Sequence, residues 1–207
     1  MLTTLIHRLL EVPLVFRLQQ RLFNDYANVG SAFEKYLSVK NKRILDVGCS
    51  SATCAGQIVD MEQDDYFGVD INPHYIDLAK KRHPHGHFLQ HDARVLPFEP
   101  DSFDVIMFIG VLHHMDDELI GSCVAEARRV LHPTGVILVA EPVFRRDWPV
   151  STWFLERDRG KFIRTSDGYR ALLDDLDIVE EKTLRLAFHE FCAFVARKRS
   201  RPIAGMT

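Results

Sequence analysis

Three aspartates are set into or just behind short apolar runs in the first half of the chain. Asp46 lies in Arg43-Ile-Leu-Asp-Val47, Asp70 in Phe67-Gly-Val-Asp-Ile71, and Asp92 in Gln90-His-Asp-Ala93. A carboxylate at the end of a buried strand can accept both hydroxyls of a ribose, as it does in dinucleotide folds. Asp70 has that place. Behind Asp46 the chain reads Gly48-Cys-Ser-Ser-Ala52, nothing but small residues. A chain leaving a buried strand there turns its backbone N–H groups outward, and the next helix adds its positive end. Only small side chains let a ligand come close enough to use those groups. The combination describes a nucleoside-binding site. A fourth stretch, Ile109-Gly-Val-Leu-His-His-Met115, brings two imidazoles behind another apolar run. One of them could take a proton held tightly by a hydroxyl near neutral pH; a His-His pair in such a place can equally be packing.

These residues need elements to hold them in register. Apolar runs bounded by turn residues predict strands at 43–48, 66–71, 86–91, 103–109 and 136–140. Helices are expected at about 53–62, at 73–83 with Asn72 as N-cap and Pro73 in the first turn, and at 118–131, stopped by His132-Pro-Thr-Gly135. Phe103-Asp-Val-Ile-Met-Phe-Ile109 is almost wholly apolar, as a strand covered on both faces must be. The alternation predicts a parallel sheet with helices on both faces, and ligands then lie beyond the carboxyl ends of its strands. That edge carries Asp46 to Ala52, Asp70-Ile71, Asp92-Ala93, Ile109 to His114, and the chain from Glu141 onward. A helix near 167–175 and a hairpin of strands at 177–186 and 188–197 complete the pattern.

Leu45-Asp-Val-Gly-Cys49 with Gly68-Val-Asp70 downstream resembles the class I S-adenosylmethionine-dependent methyltransferases, and within them the small-molecule, quinone-biosynthesis-type branch. The resemblance covers about 41–197. It implies a Rossmann-like seven-stranded, mostly parallel sheet ending in a C-terminal antiparallel hairpin, with S-adenosylmethionine as cofactor and a small-molecule methyl acceptor. It assigns the cofactor to Asp46, Gly48, Cys49, Ser50, Asp70, Ile71, Asp92, Ala93, Ile109 and Gly110, with Asp92 accepting from the adenine amino group and Ile71 against the base. Asp92 capping a turn is the plainer alternative. His114 or His113 is the candidate base. The family's loop usually reads Asp-x-Gly-x-Gly-x-Gly; here Ser50 and Ala52 stand where the second and third glycines would be.

The 207 residues suit one α/β domain, 41–207, preceded by a helical cap over 1–40. Leu2 to Phe16 is densely apolar but interrupted by His7, Arg8 and Glu11, so neither a signal peptide nor a membrane span is expected. The cap could pack on the sheet, roof the acceptor site, or touch a membrane surface through its apolar face. A net charge of −3 gives no electrostatic argument for nucleic acid. Four scattered cysteines read as reduced thiols, and the cytoplasm is the expected compartment. His83, His85, His87 and His91 alternate along the chain, but no acid or cysteine completes a metal shell. Between Glu141 and Thr165, arginines and aromatic residues (Phe144, Trp148, Trp153, Phe154) suggest a pocket for an anionic, aromatic or lipophilic acceptor. Interleaved acids make a solvated surface the competing reading. Two rival functions remain at this point: a cofactor-binding module without catalysis, and a nicotinamide-dependent oxidoreductase. The second is disfavoured because Gly48-x-Ser50-x-x-Thr53 lacks the glycines that pyrophosphate binding needs.

Overall fold

The computed structural model describes residues 26–144, 160–186 and 189–199. Its strands are β1 Arg43–Val47, β2 Asp65–Asp70, β3 His87–Gln90, β4 Phe103–Ile109, β5 Leu131–Val143, β6 Leu176–Leu186 and β7 His189–Lys198. They form one seven-stranded sheet in the order β3-β2-β1-β4-β5-β7-β6. The first five are parallel; β7 runs antiparallel between β5 and β6. This is the sheet that the alternation of runs and the terminal hairpin predict. The order reverses between β1 and β4, and at such a switch point the loops part to leave a crevice.

Five helices are described: α1 Ala27–Leu37, α2 Ala55–Ile58, α3 Pro73–Arg82, α4 Asp117–Val130 and α5 Ser166–Leu172. Three of them start at side-chain caps. Asn72 accepts from His74 N at 3.0 Å, Asp116 from Leu119 N at 2.9 Å, and Thr165 from Gly168 N at 3.2 Å; each bond satisfies an orphan donor of the first turn. One apolar layer packs α4 and α5 on the sheet through Ile120, Val124, Ala127, Tyr169 and Leu173. The opposite layer packs α1, α2 and α3 through Val29, Phe33, Ala55, Ile76 and Ala79. Residues 27–37 are therefore built into the sheet's covering. Lys35 and Tyr36 donate to Glu180 on β6, and Lys182 of β6 donates to the Ala32 carbonyl.

Two expected boundaries move. The helix predicted over 53–62 is only the single turn Ala55–Ile58, because Val59 is extended (φ −119°, ψ 133°) and Asp60 then turns the chain by accepting from Glu62 N and Gln63 Nε2. The strand predicted over 136–140 runs from 131 to 143. Its early part absorbs Pro133-Thr-Gly135 as an irregularity in the pairing with β4, and its late part continues because β7 pairs as far as Val143.

Candidate functional site

The loop after β1 is wound left-handed at alternate residues. Gly48 has φ 74°, Ser50 50° and Ala52 53°. The two non-glycine residues thus hold the backbone that glycine would supply more easily, each at roughly 1–2 kcal/mol of strain. Two features keep the loop there. The N–H groups of Gly48 and Cys49 donate to the Val69 carbonyl at 2.8 and 3.0 Å. Arg82, at the end of α3, donates to the Ser51 carbonyl and to the hydroxyls of Ser51 and Thr53. Ala52 is fully buried, so its small side chain is also a packing requirement.

Asp70 ends β2 beside this loop. Its Oδ2 accepts from Ser50 N at 2.9 Å and its Oδ1 from Asn72 N at 2.8 Å. An ionised carboxylate has about four acceptor positions, so two of these bonds leave room for further donors. Ile71, the next residue, is 70% exposed. Asp46 lies deeper. It is buried, accepts from the Tyr66 hydroxyl at 2.7 Å, and its carboxyl is pushed up to about 7 by burial, with the nearby charge of Asp70 adding to the shift. Cys49 is buried and its thiol is raised well above the ordinary range by desolvation. Asp92, after β3, is partly buried and clasped by Arg94, whose guanidinium reaches both carboxylate oxygens at 2.6–3.1 Å; these bonds hold its carboxyl down to about 2. The Arg94 N–H also donates to Asp92, so Asp92 does cap a turn. Ala93 stands between the two, partly buried.

On the other side of the crevice, Ile109 ends β4 and Gly110 turns left-handed, φ 65°. Among the described residues, a Cβ built on Gly110 would meet the His113 ring alone, at 4.0 Å. Leu112–His114 then form a single 3-10 turn. The two histidines part company here. His113 is buried and bonds Glu141 through Nδ1 at 2.7 Å; His114 is exposed, its ring centroid 4.0 Å from that of His113. Sequence reasoning places Glu141 at the carboxyl edge but assigns it no role. Its Oε1 accepts from Val111 N and Leu112 N, both at 2.8 Å, and Oε2 also lies 3.3 Å from His113 N. The only available signal was an acid placed directly after an apolar strand. The Gly48 Cα meets this second half of the site: a Cβ there would lie 2.2 Å from Val111 Cγ2.

Of the alternating histidines, His87 lies against Asp65 and the Phe67 ring, and His91 Nδ1 is 3.2 Å from the Asp92 carbonyl. Among the described residues no group of three His, Cys, Asp or Glu side chains is placed to hold a metal ion, and no helix is long and apolar enough to cross a membrane. Of the segment expected to line the acceptor pocket, Phe144 is described; Trp148, Trp153, Phe154 and the arginines up to Arg159 lie outside the described residues, as do residues 1–25 of the expected cap.

An open, mostly parallel sheet with a small-residue loop after β1, an acid ending β2 and an antiparallel strand inserted before its edge is a Rossmann-like α/β domain. A family model described as a methyltransferase domain matches residues 44–135, which supports the resemblance to the class I S-adenosylmethionine-dependent methyltransferases. A phthiotriol/phenolphthiotriol dimycocerosates methyltransferase of Mycobacterium ulcerans is 32% identical over 123 residues, covering 56% of this chain and 44% of that protein. The O-methyltransferase rstn1 of Aspergillus nomiae is 33% identical over 114 residues, covering 52% and 50%. The chain therefore matches about half the length of these relatives or less. Among solved structures, a protein of Pyrococcus horikoshii superposes with a TM-score of 0.68 at 20% identity, over 85% of this chain and 92% of that one. The [4+2]-cyclase SpnF superposes with 0.66 at 18% identity, over 82% and 79%. These likenesses show the fold; the second shows how differently described proteins share it.

Proposed function

We propose that this protein transfers a methyl group from S-adenosylmethionine to a small-molecule acceptor. The observation that carries the reading is Asp70, a carboxylate with acceptor positions to spare, set beside a loop wound left-handed at 48, 50 and 52. That pairing fits a ribose and the chain attached to it. In this reading Asp70 accepts from the ribose hydroxyls, Ile71 lies against the base, and Asp92 with Ala93 borders its amino group. The loop Gly48-Cys49-Ser50 and the backbone at Ile109-Gly110 hold the amino-acid end, with Asp46 beneath them. Bound in this way, the cofactor supplies an electrophilic methyl on a positively charged sulfur.

The protein's own part is alignment, since a displacement in line gains much of its rate from holding the reacting atoms in place. His114 is the exposed imidazole of the turn beyond Gly110 and is the candidate base where the acceptor is a hydroxyl. His113 is turned to Glu141 and serves the site as its support. The relatives named for O-methylation and for methylation of a phthiotriol favour an oxygen acceptor on a lipophilic molecule; nitrogen and carbon acceptors use the same cofactor site without a base.

Calorimetric titration with S-adenosylhomocysteine is expected to give saturable binding, and NAD none. Incubation with methyl-labelled S-adenosylmethionine and a metabolite extract is expected to label an organic-soluble product. Binding without any labelled product would support the non-catalytic module instead. Binding of NAD alone would overturn the cofactor assignment.

A further inference from the structure

Glu141 lies wholly buried in β5, beneath the turn that follows β4. A carboxylate in such a place is costly unless donors surround it, and here they come from one short stretch. Oε1 takes the N–H groups of Val111 and Leu112; Oε2 takes His113 Nδ1 and faces the His113 N–H. All belong to the three residues directly after Gly110. The carboxylate is therefore a clamp on the backbone that faces the transfer end of the site, and no step proposed above uses it.

The arrangement fixes the histidine as well as the chain. A carboxylate already facing backbone donors can only accept, so Nδ1 must carry the His113 proton. The ring has little freedom to turn, because Gly160 is pressed on it: a Cβ there would stand 2.0 Å from Cδ2. His113's own carbonyl accepts from Phe162 N at 3.0 Å. Arg164 grips the turn from outside, donating to the carbonyls of Leu112 and Met115 at 3.5 and 3.0 Å and pairing with Asp117. His114 rests on the ring so held.

We propose that Glu141 is a positioning residue for methyl transfer: it locks the Gly110–His113 turn and holds His113 as the Nδ1-protonated ring that supports His114. The proposal rests on the function proposed above. It says that the exposed groups of the site are placed by a side chain that never meets the substrate. Misplacement of about 1 Å in such a support costs on the order of 100-fold in rate.

Glu141→Gln tests it, because the amide is isosteric but carries a donor. With its oxygen kept on Val111 N and Leu112 N, its NH2 faces His113 Nδ1, which must then accept. The His113 ring, followed by 15N NMR of the histidine-labelled protein, is expected to change from the Nδ1–H to the Nε2–H tautomer. Binding of S-adenosylhomocysteine is expected to stay as in the wild type, while transfer at saturating cofactor falls about 10- to 100-fold. Wild-type His113 protonated on Nε2 alone overturns the proposal. So does a Glu141→Gln protein whose tautomer switches while transfer is unchanged. Should that variant fail to fold, His113→Phe keeps a flat ring under His114 and leaves Glu141 its backbone donors; wild-type transfer there also overturns the proposal, and a loss with cofactor binding intact supports it. A wild-type protein that neither binds S-adenosylhomocysteine nor labels any product refutes the proposed function instead. In that case the tautomer switch still supports, and its absence still refutes, Glu141's hold on the turn.

Discussion

Asp70 and Glu141 are both carboxylates at the carboxyl edge of the same sheet, and both accept backbone N–H groups from the loop beside them. Asp70 accepts two, from Ser50 and Asn72, and stays partly open. Glu141 accepts from Val111, Leu112 and the His113 ring, faces a fourth donor, and is sealed from solvent. One has bonding capacity left over and the other has none. A half-satisfied carboxylate can receive a ligand; a saturated one can only hold protein. The crevice thus has a receptive wall along β1–β3 and a rigid wall along β4–β5, and the two meet where Gly48 touches Val111.

The sharpest way to break this comparison is to drive the walls apart. Gly48→Ala adds a Cβ at φ 74° and 2.2 Å from Val111 Cγ2. Left-handed strain of roughly 1–2 kcal/mol and overpacking of roughly 1–3 kcal/mol give an expected loss of roughly 2–5 kcal/mol. Urea denaturation reads it; a variant as stable as the wild type would mean that the contact is not tight.

Asp70→Ala probes the receptive wall alone. Removing an acceptor of hydroxyl bonds is expected to weaken cofactor binding by roughly 1.5–3 kcal/mol, a Kd rise of about 10- to 150-fold, while the protein still folds. Calorimetry decides it, and an unchanged Kd would leave Asp70 as a loop cap only.

Asp46→Asn is expected to have a smaller effect, confined by pH. Burial lifts the Asp46 carboxyl from 3.8 to about 7 in the folded chain. The folded state then holds a proton that the unfolded state has released, so wild-type stability falls as pH climbs from about 4 to about 7. The asparagine variant should lose that slope and gain on the wild type at pH 8 relative to pH 5, as thermal melts at the two pH values would show. Parallel profiles would contradict the assignment.

The smallest effects belong to the strained loop. Ser50→Gly relieves a φ of 50°, a gain of roughly 1–2 kcal/mol set against roughly 0.5–1 kcal/mol of unfolded-state entropy. A rise in Tm of a few degrees is expected. Ala52→Gly should gain less, because the fully buried Cβ of Ala52 is lost with the strain. Equal losses for both would show that the loop relaxes without glycine.

The receptive wall was legible in the sequence and the rigid wall was not, for a physical reason. Asp46, Asp70 and the small-residue loop announce themselves because each is local: an acid or a turn adjoining its own apolar run. The left-handed residues 48 and 50 fall where a tight exit from β1 needs them. Glu141 reaches its partners across 28 to 30 residues, and nothing near it in sequence shows that His113 will be buried against it. The histidines looked equivalent side by side. Only the fold, by laying Gly160 and Glu141 around one of them, separates a supporting ring from an exposed one. The length of β5 was hidden in the same way, since residues 141–143 become strand through β7, about fifty residues later.

The position of β7 has a consequence for how the chain is made. This strand is the last of the described elements, yet it lies inside the sheet, between β5 and β6. Until it has left the ribosome, Ile137 to Val143 offer an open strand edge of almost unbroken apolar sequence, the kind that pairs with other chains. The first five strands can assemble early, because their parallel ladder is complete without it. The nascent chain therefore passes through a stage in which a nearly finished domain carries one sticky border. Sealing that border falls to residues 189–198, and a chain stopped short of them would be expected to aggregate rather than to fold into a smaller version of itself.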